Sequence, residues 1–131
     1  MAQRFSTFLM FTGRASEAID LYRSLFEDMR MDHVDLYEDG EPGPVGTVKH
    51  AAWTLAGQNF AAIDSPIEHG FGFTPSMSIV VECSSDAEIE RLFGGLSEGG
   101  EVMMPLDAYP FSSKFGWVKD RFGVSWQLSL A

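Results

Sequence analysis

With 131 residues, 45% of them hydrophobic, and a formal charge of −10, the chain fits one globular domain. It offers no basic cluster for a phosphate backbone or an anionic membrane surface, so neither nucleic acid nor a membrane is an expected partner. The single cysteine, Cys83, excludes an intrachain disulfide and a Cys-rich metal site. It suits a reducing compartment. The Met1–Phe5 start lacks the apolar region of a signal peptide, and no apolar run nears the roughly 18 residues of a span, so a cytoplasmic protein is expected.

The first segment, Arg4 to Phe11, is aromatic and aliphatic and reads as a mostly buried strand, broken by Gly13. Ser16 is placed as a helix N-cap, and Ala18, Leu21, Tyr22, Leu25 and Phe26 follow at helical spacing, predicting a helix over 16–27. A strand is predicted from Met29 to Tyr37, then a Gly- and Pro-rich turn to Gly46. Thr47 to Leu55 and Phe60 to Ile63 form two strands around a tight turn at 56–59. Residues 64–74 have the composition of a connector.

The order then restarts. Ser76 to Cys83 is a strand, and Asp86 caps a helix bearing Ile89, Leu92, Phe93 and Leu96 that ends at Gly99-Gly100. Glu101 to Leu106 is a short strand and 107–110 a loop, followed by strands at Phe111–Lys119 and Val124–Leu130 around a turn at 120–123. Strand–helix–strand–strand–strand thus occurs twice. An α+β fold follows, with two βαβββ modules (about 4–64 and 75–131) that form curved antiparallel sheets. One helix backs each sheet, and a cup between the modules is the expected ligand site.

Three segments carry a likeness: EAIDLYRSLF (Glu17 to Phe26), VKHAAWTLAGQNFAAID (Val48 to Asp64) and FGWVKDRFGVSWQL (Phe115 to Leu128). Together they resemble the PhnB-like family of the vicinal oxygen chelate superfamily, which includes glyoxalases and bleomycin-resistance proteins. The resemblance covers nearly the whole chain and implies paired βαβββ modules in a homodimer. Many relatives carry the label 3-demethylubiquinone-9 3-methyltransferase, yet the chain has no Gly-rich strand-to-helix loop of the kind that holds an adenosyl cofactor.

Metal-using members of the superfamily take ligands from cup-facing positions on the first and last strands of each module. They place a Glu four residues past the Gly of the closing turn. Here that turn is Asp120-Arg121-Phe122-Gly123, and the matching residue is Gln127, which is uncharged. The other matching positions fall near Ser6 or Thr7, near Met77 or Ser78, and near Ala62 or Asp64. A divalent ion needs several His or carboxylate ligands, so neither a metal nor another cofactor is expected.

The remaining candidates have two readings each. His50 and Trp53 share a strand at odd spacing, hence on opposite faces; His50 serves as a general base or lone ligand in the cup, or as a hydrogen-bonded strand histidine. His33 and His69 are read as solvated. Asp64 caps the turn that follows it or accepts a ligand donor at the rim. Cys83 is read as a structural thiol rather than a nucleophile. If Gln127 faces the cup, alternation puts Trp126, Leu128 and Leu130 under the helices. Phe115 and Trp117 share one face, left open between core and cup; on the cup side they form an apolar wall.

Two functions fit. One is a dimeric small-molecule-binding module whose cup residues are Gln127, His50, Trp117, Phe115, Thr7 and Asp64, working without metal. The other is an enzyme acting on a small oxygenated substrate, metal-dependent or assisted by His50. Methyl transfer in ubiquinone biosynthesis follows only from the family label.

Overall fold

A computed structural model describes residues 3–131. The chain divides into two compact units with the boundary between Gly70 and Phe71. In the first unit the elements run β1 (Ser6–Phe11), α1 (Ala15–Leu25), β2 (Arg30–Leu36), β3 (Val48–Leu55) and β4 (Gln58–Asp64). The second repeats the order with β5 (Ser78–Cys83), α2 (Asp86–Ser97), β6 (Glu101–Tyr109), β7 (Ser112–Lys119) and β8 (Ser125–Leu130). The expected double βαβββ pattern is present.

Each unit holds one four-stranded sheet, ordered β1-β4-β3-β2 and β5-β8-β7-β6. Three strands of each sheet are antiparallel as expected. The first strand adds a detail: β1 joins β4 in parallel, and β5 joins β8 in parallel. The helix that follows it carries the chain away to the far edge of the sheet, and three hairpin-linked strands then return beside it. Only that crossover permits a parallel neighbour.

Register sorts the side chains into two faces. In the first unit Thr7, Phe60 and Trp53 form one row, and Leu9, Ala62 and Ala51 the next. This face is buried, together with Ala15, Ala18, Ile19, Tyr22 and Leu25 of α1. The opposite face carries Phe8, Ala61, Ala52 and His33 in one row. In the second unit Trp126, Leu128 and Val118 lie on the face covered by α2. There Gly116 is required, because a Cβ would come within 2.6 Å of the Phe93 ring.

Two helix starts differ from expectation. Ser16 does not cap α1: the helix begins at Ala15, and its N-cap residue, Arg14, offers no side-chain cap. Instead the carboxylate of Asp64, at the end of β4, accepts the N–H of Gly13 (2.7 Å) and of Ala15 (3.0 Å) through Oδ1. Its Oδ2 accepts the N–H of Val48 at 2.9 Å, so one side chain holds the helix start and the head of β3. In α2 the cap is Ser85 rather than Asp86, with its Oγ accepting the N–H of Glu88 at 3.1 Å while Glu88 reaches back to the Ser84 N–H at 2.8 Å. Asp86 then occupies the first helical turn, where its charge suits the dipole.

The hairpins also shift. The β3–β4 turn is two residues, Ala56-Gly57, both with positive φ (49° and 82°), the geometry that matches strand twist. Residues 107–109, expected as loop, extend β6 with several register irregularities. At the closing turn Asp120, only 2% exposed, accepts the N–H groups of Phe122 (2.9 Å) and Val124 (3.0 Å). Its other oxygen accepts Trp126 Nε1–H at 2.9 Å.

These arrangements set an order of mutational cost. Asp64→Ala strands three donors and is expected to destabilise the protein by about 3 kcal/mol or more. Ser85→Ala, which removes a local cap, should cost about 1 kcal/mol. Urea unfolding of the two variants checks the ranking. Trp126→Phe leaves an Asp120 oxygen without its indole partner, whereas the buried Trp53 Nε1 has no partner among the described residues to lose. Trp126→Phe is therefore expected to be roughly 2 kcal/mol more destabilising than Trp53→Phe in the same assay.

Candidate functional site

On the face of the second sheet away from α2, register brings Gln127 beside Trp117 on β7 and Val80 on β5. Phe115 lies two residues from Trp117 on the same face, opposite Ser129. The alternation that left Phe115 and Trp117 undecided is thus resolved: both join Gln127, while Trp126 and Leu128 pack under the helix.

A chain of hydrogen bonds joins the polar members. Trp117 Nε1–H donates to Ser125 Oγ at 2.8 Å, the Ser125 and Ser78 hydroxyls pair at 2.6 Å, and Gln127 Nε2 donates to Ser78 Oγ at 3.3 Å. Ser125 is buried, whereas Trp117 and Gln127 are half-buried. Phe115 meets Phe111 and Tyr109 edge to face, with ring centroids at 4.9 and 5.8 Å. Phe111 itself is 66% exposed. The face therefore presents fixed hydrogen-bonding groups next to aromatic surface.

The other candidates lie in the first unit. His50 is on the helix-free face of β3, as its offset from Trp53 requires. His33, read as solvated, is its diagonal neighbour on β2: His33 stands opposite Ala52 and His50 opposite Asp35, and His33 Nε2 and His50 Nδ1 are 2.7 Å apart. That pairing escaped the sequence because it depends on the β2–β3 register, which shifts just before His33. Thr7 lies on the helix-side row with Phe60 and Trp53, so its face is not that of His50. Asp64 is 2% exposed, and its carboxylate accepts the three backbone donors described above. It also borders a cavity of about 370 Å³, lined in addition by Thr12, Pro44, Thr47, Ile67 and Glu68. His69 bonds Ser65 Oγ at 2.9 Å.

The strands that supply metal ligands in metal-using relatives can be tested here. Their helix-free faces carry Ser6, Phe8 and Met10 on β1, Asn59, Ala61 and Ile63 on β4, Ser78, Val80 and Glu82 on β5, and Gln127 on β8. Glu82 is the one carboxylate and none is a histidine. Among the described residues no group of three or more His, Cys, Asp or Glu side chains forms a metal-ligand set. This donor set does not fit a catalytic divalent ion at those strands.

A likeness to solved structures now has its geometric basis. A variant of the fosfomycin resistance protein FosX of Listeria monocytogenes, solved with manganese(II), superposes with a TM-score of 0.68 at 14% identity, covering 98% of this chain and 93% of that one. At that identity the match speaks for the fold, which is the paired-module fold of the glyoxalase and bleomycin-resistance proteins. A PhnB protein from Bacillus cereus matches far more closely, with a TM-score of 0.95 and 50% identity over 98% of this chain and all of that one. Protein YjdN of Escherichia coli K12 is 26% identical over 138 residues, spanning 95% of this chain and 93% of the other. The family model described as 3-demethylubiquinone-9 3-methyltransferase matches residues 3–129. The chain belongs to this PhnB-like family.

Cys83 completes the inventory. Burial, reinforced by the nearby Glu88 charge, pushes its thiol up to about 11. At neutral pH the sulfur therefore stays protonated and poorly nucleophilic. Labelling of native protein with a thiol-exchange reagent at pH 8 is expected to run at least about tenfold slower than labelling in urea, and to quicken only as pH approaches the raised value.

Proposed function

We propose that the protein binds a small molecule with a flat apolar body and a hydrogen-bonding group, on the helix-free face of the second unit, without help from a catalytic metal. The observation that carries this reading is the Gln127–Ser78–Ser125–Trp117 hydrogen-bond chain beside the Phe115 cluster. Gln127 donates its amide N–H to Ser78, which turns its carbonyl oxygen into the outward acceptor of the site. Trp117 and Phe115 supply the apolar wall, and Trp117 is oriented by its bond to a buried hydroxyl.

Support comes also from the fold, which the chain shares with a resistance protein that handles a small molecule. Methyl transfer, the activity in the family model's description, has weaker support. The sheets are antiparallel but for one strand pair each, whereas the Gly-rich loop that holds an adenosyl donor usually opens a helix in a parallel doubly wound sheet. A homodimer and a cytoplasmic location complete the proposal; among the described residues no helix is long and apolar enough to cross a membrane.

The test is an aromatic fragment titration followed by amide and indole NMR shifts. Perturbations are expected to cluster on β5, β7 and β8 around the Trp117 indole. Gln127→Ala should weaken the best fragment about tenfold, or ~1.4 kcal/mol. Fragments that bind only elsewhere, or that ignore both Gln127→Ala and Trp117→Phe, would sink the reading.

A further inference from the structure

The pair of histidines in the first unit has a use that the ligand-binding reading does not absorb. His33 on β2 and His50 on β3 lie on the sheet face away from α1, and two irregularities in register flank the His33–Asp35 stretch. Such bulges re-aim side chains. Here they turn two rings from neighbouring strands towards one point. The ring planes are within 17° of parallel and the centroids are 4.9 Å apart, close to the greatest separation that the 2.7 Å between the nitrogens and the two ring radii allow. The rings therefore meet edge to edge, with His33 Nε2 and His50 Nδ1 aimed at each other across 2.7 Å.

We propose that this pair is a binding site for one divalent transition-metal ion of the kind that favours imidazole, such as zinc or nickel. Two imidazole nitrogens at about 2.0–2.1 Å from a tetrahedral ion stand roughly 3.3 Å apart with their lone pairs converging on it, so the pair must open by roughly 0.6 Å and both rings must swing off the line that now joins them. In the metal-free protein one of the two facing nitrogens carries the proton of the hydrogen bond. A shift of that proton to the far nitrogen of the same ring leaves both facing nitrogens as donors, with no change in charge.

Local charge favours a cation. Asp35, opposite His50 in register, places a carboxylate oxygen 3.9 Å from His33 Nε2. The chain as a whole carries −10. His33 is 45% exposed, so an ion has a path in and water can complete its coordination. The site lies on β2 and β3, apart from the end strands whose donors fail to match a catalytic ion, and on the other unit from the Gln127 face.

Calorimetric titration of the full chain with zinc chloride tests the proposal, using wild type, His33→Gln, His50→Gln and His69→Gln. One ion per chain is expected for wild type and for His69→Gln, with binding weakened at least about tenfold in each of the other two. A second measurement needs no variant: zinc should shift the ring-nitrogen NMR signals of His33 and His50 together and leave those of His69 in place. Absence of stoichiometric binding, binding that survives loss of either ring, or a zinc response centred on His69 would overturn the site.

Discussion

The position of Asp64 governs the first unit. A carboxylate that is 2% exposed must have its oxygens satisfied, and three backbone N–H groups do this, two from the start of α1 and one from the head of β3. The end of β4, the start of α1 and the start of β3 are thereby fixed to one group. Because β4 pairs with both β1 and β3, the same constraint sets which face of the sheet the helix covers. The other face, with His33, His50 and Phe8, is left uncovered within the unit as a consequence.

The second unit reaches the same layout with a different division of labour. Its helix is capped locally by Ser85 and Glu88, so the last strand owes nothing to the helix start. Its buried carboxylate, Asp120, serves the β7–β8 turn and the Trp126 indole instead. With that turn held, β8 presents Trp126 inward and Gln127 outward in a fixed register against β7. The hydrogen-bonded hydroxyls of Ser78 and Ser125 then orient the polar groups on the uncovered face. Architecture is common to the two units, while the polar chemistry on their uncovered faces differs: imidazoles on one, an amide and hydroxyls on the other.

Much of this was legible in residue order, because helical spacing and strand alternation are local properties. Ile89, Leu92 and Leu96 read as a helix stripe and are buried; Trp126 and Gln127 read as opposite faces and are so placed. What escaped depends on partners distant in sequence. Ser16 looked like a cap because it is a cap-type residue just before a helical pattern, yet a carboxylate 49 positions from Ala15 takes that role. The His33–His50 contact depends on a register that bulges alter, and no alternation rule shows a bulge. Residues 107–109 carry Asp and Ala where strands are seldom rich in them, and tertiary pairing with β7 overrides that preference.

The two ways of capping a helix have a kinetic side. Ser85 and Glu88 lie within the turn they stabilise, so α2 can be stopped and started correctly while the rest of its unit is still unformed. The cap of α1 arrives only when a loop of about 50 residues closes and β4 docks, and the entropy of that closure is met before the bond forms. The first unit thus concentrates high contact order in one side chain, and its helix gains definition late, together with the sheet. Two modules with one topology differ in the sequence range of the contact that defines their helix, a few residues in the second and about 50 in the first.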